Sequence, residues 1–192
     1  LLALRWLATR QRWLPAAALL AVLVFMAFTA GHPQTLLFVV YTGAVAFLFW
    51  LWQARRNEGR IALLRHGLVR GGLAALLSIG LSAAQLMPTL SFMLASTRAS
   101  LTFEQAGRGF ALHDIALVAL TGVINVWQPI YVGIAPLALA GVAVLSSIRA
   151  PGGRQDIGLW VAVGLGALVL GFGMNAFGFD VAYLLAPGYR QF

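Results

Sequence analysis

The chain contains no cysteine and no lysine, and only five of its 192 residues are acidic. The missing thiol excludes disulfides, thiolate catalysis and cysteine-based metal sites, and it leaves the redox compartment unmarked. All 13 basic residues are arginine, which reflects coding bias more than chemistry. Charged residues make up 9% of the chain, against roughly 25% in an ordinary soluble domain. What fills the space instead is apolar: 61% hydrophobic residues and a mean hydropathy of +0.88. Runs of this length and composition predict an all-α, polytopic transmembrane bundle. A net charge of +8 would suggest a nucleic-acid partner in a soluble protein. Here the arginines are divided among short loops between apolar spans. No continuous basic face can form, so the charge is read as topology-setting and nucleic acid is not a partner.

The hydrophobic pattern predicts one transmembrane domain over 1–192, with about five spans at 14–30, 35–52, 71–95, 130–148 and 157–174. Residues 1–13 carry Arg5, Arg10 and Arg12, with Trp6 and Trp13 suited to an interfacial belt. The first span is not a signal peptide: its apolar run is too long, Phe28 is bulky for a cleavage site, and a second span follows at once. Between them, Ala30-Gly31-His32-Pro33-Gln34 reads as the tight turn of a helical hairpin, with Gly31 and Pro33 as its punctuation. The second span ends in Phe47, Phe49, Trp50 and Trp52. The loop after it sets five arginines against the single acid Glu58. Its 61–69 part is expected as a surface helix, apolar residues on lipid and arginines in water.

In the third span, Ala74, Ser78, Ser82 and Gln85 follow helical spacing and make one small, polar face for a neighbouring helix. Pro88 is expected to break or bend that helix. Next comes the longest polar segment, 96–114, with Arg98, Glu104, Gln105, Arg108, His113 and Asp114. The run 115–129 is short and passes almost without a loop into the next apolar stretch, so it is read as an interfacial or half-membrane helix. In the last span, Ala162/Gly166 and Ala167/Gly171 are small-residue pairs for helix contact.

Placing the N-terminus inside fixes the sides. With five spans, ten of the thirteen arginines face the cytoplasm and only Arg98, Arg108 and Arg190 lie outside. If 115–129 crossed as well, the split would be nine to four. Charge bias therefore favours five spans. The remaining polar residues, including Glu104, Asp114 and Asp180, then gather on the outer face.

Three pieces resemble one family. The Gly31-His32-Pro33-Gln34 turn before an apolar span is similar to the GHPQ-type turn of large bacterial YfhO-like membrane proteins. Gln85-Leu86-Met87-Pro88-Thr89, then Ser96-Thr97-Arg98 and Phe103-Glu104, resembles the stretch that follows that family's next span. Ile130-Tyr131-Val132-Gly133 with Pro136-Leu137 resembles its entry into a later span. Order and spacing agree over roughly 31–145, and Pro187-Gly188-Tyr189 is similar to a later turn.

The resemblance implies a fold of the GT-C glycosyltransferase type in the bacterial cytoplasmic (inner) membrane. The lipid bilayer, a polyprenyl-phosphate sugar donor and a cell-envelope glycan or lipid acceptor would be its partners. In such enzymes the catalytic carboxylate lies in the first outer loop, which is expected upstream of this chain; the chain is read as an internal fragment, and no catalytic residue is assigned. The leaving phosphate needs cations, for which Arg98 and Arg108 have the fork geometry. Glu104 and Asp114 suit a sugar hydroxyl or a divalent cation. His32, Gln34 and Tyr131 suit hydrogen bonds to sugar or phosphate. The bland alternatives are Arg98/Glu104 and Arg108/Asp114 ion pairs in a solvated loop, and Asp114 as a helix cap. No ligand spacing supports a metal site. Two other functions compete: a flippase for lipid-linked glycans, which calls for charged residues along a path inside the spans, and a non-catalytic membrane scaffold.

Overall fold

A computed structural model describes residues 1–9, 13–31, 33–96, 101–118, 131–149 and 154–189. Among them every regular element is a helix, so the all-α class holds. The chain divides into two compact units, Leu1–Ala99 and Ser100–Phe192.

The first unit holds α1 (Leu2–Thr9), α2 (Leu14–Thr29), α3 (Pro33–Glu58), the short α4 (Arg60–Ala62), a π-helix (Leu63–Gly71) and α5 (Gly72–Ala95). Pro15 lies in the first turn of α2, where its missing N–H would have been unpaired anyway. The hairpin turn is tighter than the sequence suggested. Gly31 takes φ +80°, and α3 already begins at Pro33. Gln34 is thus a half-buried first-turn helical residue rather than a loop residue.

Two helical stretches, Gln34–Arg56 and Arg65–Ala95, are long and apolar enough to cross a membrane. Leu14–Thr29, Ile134–Ile148 and Gln155–Gly171 are apolar but shorter. At ~1.5 Å per residue the long stretches cover a hydrocarbon core of about 30 Å, whereas the shorter ones fall near or below it.

Small residues organise the packing of this unit. Ala74, Ser78 and Ser82 are buried along α5, and Ala16, Ala17 and Ala21 are buried along α2; α2 and α5 make the most extensive helix contact among the described elements. The predicted close-approach face therefore exists. Gln85 is not part of it and lies exposed. Nor does Pro88 end the helix, which runs on to Ala95. Pro88 deprives the Ala84 carbonyl of its usual donor, while Thr89 Oγ1 donates to the Gln85 carbonyl (2.8 Å) and Ser91 Oγ to that of Met87 (3.0 Å).

The largest departure concerns 61–71. Ile61, Arg65, Leu68 and Val69 are exposed, as a surface helix would have them, but the other face of the π-helix packs on α3 and the element joins α5 without a break. Gly67 faces the Leu51 side chain, 3.3 Å from where a Cβ would sit, and Gly71 faces the Phe47 ring at 2.9 Å. A side chain at Gly71 would force the Phe47 ring to shift, whereas one at Gly67 would need only a small movement of Leu51. Arg70 is consequently 5% exposed and His66 1% exposed, neither of them in water. Residues 1–9 also pack on the rest of the unit. Leu4 reaches Gly43, so α1 and Arg5 sit level with the middle of α3. Trp6, Trp13 and Phe47 pack against a core of Leu7, Ala16, Ala17 and Ala74. Trp50 is 4% exposed. Trp52, by contrast, is 43% exposed.

The second unit holds α6 (Phe103–Ala106), a 3-10 turn (Leu112–Val118), α7 (Ile134–Arg149), α8 (Arg154–Gly171), a further 3-10 turn (Gly173–Asn175) and α9 (Phe179–Leu185). Within it α7 and α8 touch. The expected contacts at Ala162, Gly166 and Ala167 do not form, since all three are exposed in this unit; Gly171 alone is covered, by the Phe110 ring.

Candidate functional site

The described polar residues of the longest loop lie on 101–118, and glycine decides their placement. Thr102 starts α6 with a capping box: its Oγ1 accepts from the Gln105 amide (3.3 Å), and the Thr102 amide donates to Gln105 Oε1 (3.1 Å). The Thr-Phe-Glu-Gln stretch carries the sequence signature of this motif. Glu104 is held exposed on that first turn. Below it, Phe103 meets Phe179 and Tyr183 edge-on, at centroid distances of 5.0 and 5.1 Å. Tyr189 closes the cluster against Phe179 at 5.9 Å. Burial raises the Tyr189 pKa above its ordinary 10.0, because the phenolate would lose solvation.

After α6 the chain passes Gly107, Arg108 and Gly109 across the segment 171–175. The Phe110 amide donates to the Gly171 carbonyl (3.1 Å) and the Met174 amide to the Gly107 carbonyl (3.0 Å). Asn175 Nδ2 donates to the Phe110 carbonyl (2.9 Å). A Cβ on Gly109 would collide with the Phe172 and Gly173 backbone, and one on Gly107 with Met174. Gly173 has φ +54° and lies against the Gly107 carbonyl. Two backbones thus cross with no side chain between them. Arg108, between the two glycines, is left exposed. The spacing Gly107-Arg108-Gly109 and Gly171-Phe172-Gly173 was the available sign of this crossing, and the sequence reading passed over it.

Asp114 is half-buried and accepts from the Ala111 amide through Oδ2 (3.0 Å). That is a cap on the 3-10 turn, reaching backward from within it. His113, 75% exposed, lies 3.6 Å from the other carboxylate oxygen. Among the described residues no ion pair joins Arg108 to Asp114, which removes one of the two loop pairs expected. Tyr131 is exposed. The Val132 amide donates to the Val118 carbonyl (3.3 Å), so the chain returns at 132 to the point it left at 118.

Of the seven candidate residues, Glu104, Arg108, Asp114 and Tyr131 belong to the second unit and Gln34 to the first. His32 and Arg98 fall outside the described residues, as do Arg190 and most of 115–129. Among the described residues no three histidine, aspartate or glutamate side chains converge as a metal site.

A polar centre that sequence reasoning missed lies in the first unit. Arg65 Nη2 donates to His66 Nε2 (3.0 Å). Arg70 Nη1 donates to the Leu7 carbonyl (3.3 Å) in the last turn of α1. The Arg70 guanidinium also stands 6.0 Å from the centre of the Trp13 ring. A cation there completes a helix C-terminus, where carbonyls lack intrahelical donors.

No family model, curated protein or solved structure matches the chain.

Proposed function

We propose that the chain is the membrane part of a glycosyltransferase-like protein. It would transfer sugar from a polyprenyl-phosphate donor to a cell-envelope acceptor on the outer face of the bacterial cytoplasmic membrane. The observation that carries this reading is the pinned loop 101–118. A glycine crossing and a capping box hold one cation, Arg108, and one carboxylate, Glu104, exposed on a short segment whose backbone has little freedom. Such a segment suits a lipid phosphate and a sugar hydroxyl, because an oriented guanidinium binds phosphate without first being ordered. The YfhO-like resemblance over 31–145 points the same way. Catalytic carboxylate chemistry is assigned to no residue of this chain.

The supporting topology is five spans with the N-terminal segment cytoplasmic. The Val118–Val132 hydrogen bond favours a non-crossing 115–129, since one passage through a core of about 30 Å would separate those residues. Arg5, level with the middle of α3, and Arg70, buried against the end of α1, drop out of the charge bias, yet eight arginines still fall inside against three outside. A flippase finds some support in buried His66 and Arg70, which are ionisable groups within or beside a span. Their link to the end of α1 makes a structural role the better account.

The test is sugar transfer from radiolabelled polyprenyl-phosphate sugar in membranes holding the full-length protein with Glu104→Gln, Arg108→Ala or His32→Ala. Loss of transfer at normal expression is the expected result. Unchanged transfer in all three would return these residues to a solvated loop, and no transfer by the unaltered protein would favour the flippase or scaffold.

A further inference from the structure

The inner corner of the first unit has features that topology-setting charge does not require. Helix α3 ends at Glu58, and Gly59, with φ +78°, turns the chain back. The Gly59 amide donates to the Arg55 carbonyl (2.9 Å), closing the helix end. This turn sets Arg55, Arg56 and Arg60 at one corner, all exposed. The Arg56 guanidinium stacks 3.8 Å from the centre of the Trp52 ring, and Trp52 is itself 43% exposed. Stacking orients the planar cation and leaves its N–H edge open to a phosphate. Two large apolar side chains are left uncovered in the same stretch: Ile61, next in the chain to Arg60, is 73% exposed, and Leu68, which follows the Gly67 that lies on Leu51 one turn before Arg55, is 71% exposed.

We propose that this corner is a binding site for an anionic phospholipid: Arg55, Arg56 and Arg60 take its headgroup phosphate, and Trp52, Ile61 and Leu68 take its acyl chains. The combination selects the ligand class. A free phosphate would leave Ile61 and Leu68 uncovered, and a zwitterionic lipid would leave the net charge of +2 from Arg55, Arg56, Arg60 and Glu58 uncompensated. Only a molecule with net negative charge next to hydrocarbon satisfies both. The proposal rests on the membrane reading of the first unit and is independent of sugar transfer.

The experiment reconstitutes the full chain in phosphatidylcholine vesicles containing a fixed small fraction of lipid with brominated acyl chains, either phosphatidylglycerol or phosphatidylcholine. Quenching of tryptophan fluorescence is read, and the Trp52→Phe protein supplies the background from the other tryptophans. The expected result is Trp52 quenching several-fold stronger with brominated phosphatidylglycerol. Arg56→Gln/Arg60→Gln should remove that preference with helix content unchanged. Should the double variant misfold, the unaltered protein in about 0.5 M salt gives the second reading, since screening at a few ångströms must weaken the preference. Equal quenching by the two lipids overturns the proposal and leaves the membrane reading standing. Quenching by neither overturns both. If millimolar inorganic phosphate abolishes the preference, the site is one for phosphate alone and the lipid assignment fails.

Discussion

At the scale of single residues, glycine has three different duties in this chain. At Gly31 and Gly59 it supplies positive φ with open space around it. At Gly67 and Gly71 it removes a side chain so that a helix can lie close to Leu51 and Phe47. At Gly107, Gly109 and Gly173 it lets two backbones cross. The third duty is the least forgiving at Gly109 and Gly173, because there the obstacle is main chain and cannot rotate away. Gly109→Ala should therefore destabilise the second unit by about 1–3 kcal/mol, the usual cost of overpacking. Gly166→Ala, at an exposed helical position with nothing within 4 Å, should be neutral or add about 0.5–1 kcal/mol of stability. Thermal unfolding of both variants in detergent checks the pair. Similar losses in the two would mean that the crossing is not what constrains Gly109. A composition count cannot separate these duties, for each depends on what stands opposite.

At the scale of elements, the π-helix changes what its arginines do. Arg65 stays exposed, as a surface helix over 61–69 would have it, but His66 and the following Arg70 do not. With Gly67 and Gly71 on α3, His66 and Arg70 turn inward, and Arg70 reaches the end of α1. Arg70→Leu should cost about 1.5–3 kcal/mol, the range for a hydrogen bond to a charged group, and should loosen α1 more than α2. Limited trypsin digestion reads this directly, as faster cleavage after Arg5 in the variant at unchanged cleavage elsewhere. Arg70→Lys should be intermediate, since it keeps the cation and loses the planar contact with Trp13. Uniformly faster cleavage would assign Arg70 to general packing. By contrast, the face of Ala74, Ser78 and Ser82 behaves as spacing alone suggests, because helical periodicity and small volume suffice to define a close-packing stripe.

At the scale of the whole molecule, the absence of cysteine makes topology directly testable. Single cysteines can be introduced without removing native thiols, and a membrane-impermeant maleimide then reports sidedness in intact cells. Five spans predict labelling from outside at Gly31→Cys, Thr102→Cys and Pro187→Cys, and protection at Arg60→Cys and Gln155→Cys. Reversal at Pro187 and Gln155 alone would show that 115–129 crosses after all. Every site labelled, or none, would contradict the membrane arrangement itself.

The helical class, the long apolar stretches, the small-residue face of α5 and the hairpin punctuation at Gly31 and Pro33 are all legible in the order of residues. Each follows from local periodicity, volume or backbone permission, which neighbours in the chain specify. That order does not disclose the glycine crossing, the inward turn of His66 and Arg70, the depth of α1 or the packing of Trp50. Gly107 and Gly173 are distant in the chain, as are Arg70 and Leu7. Which residue faces each of them is set by packing, which joins segments whose separation leaves no periodic trace.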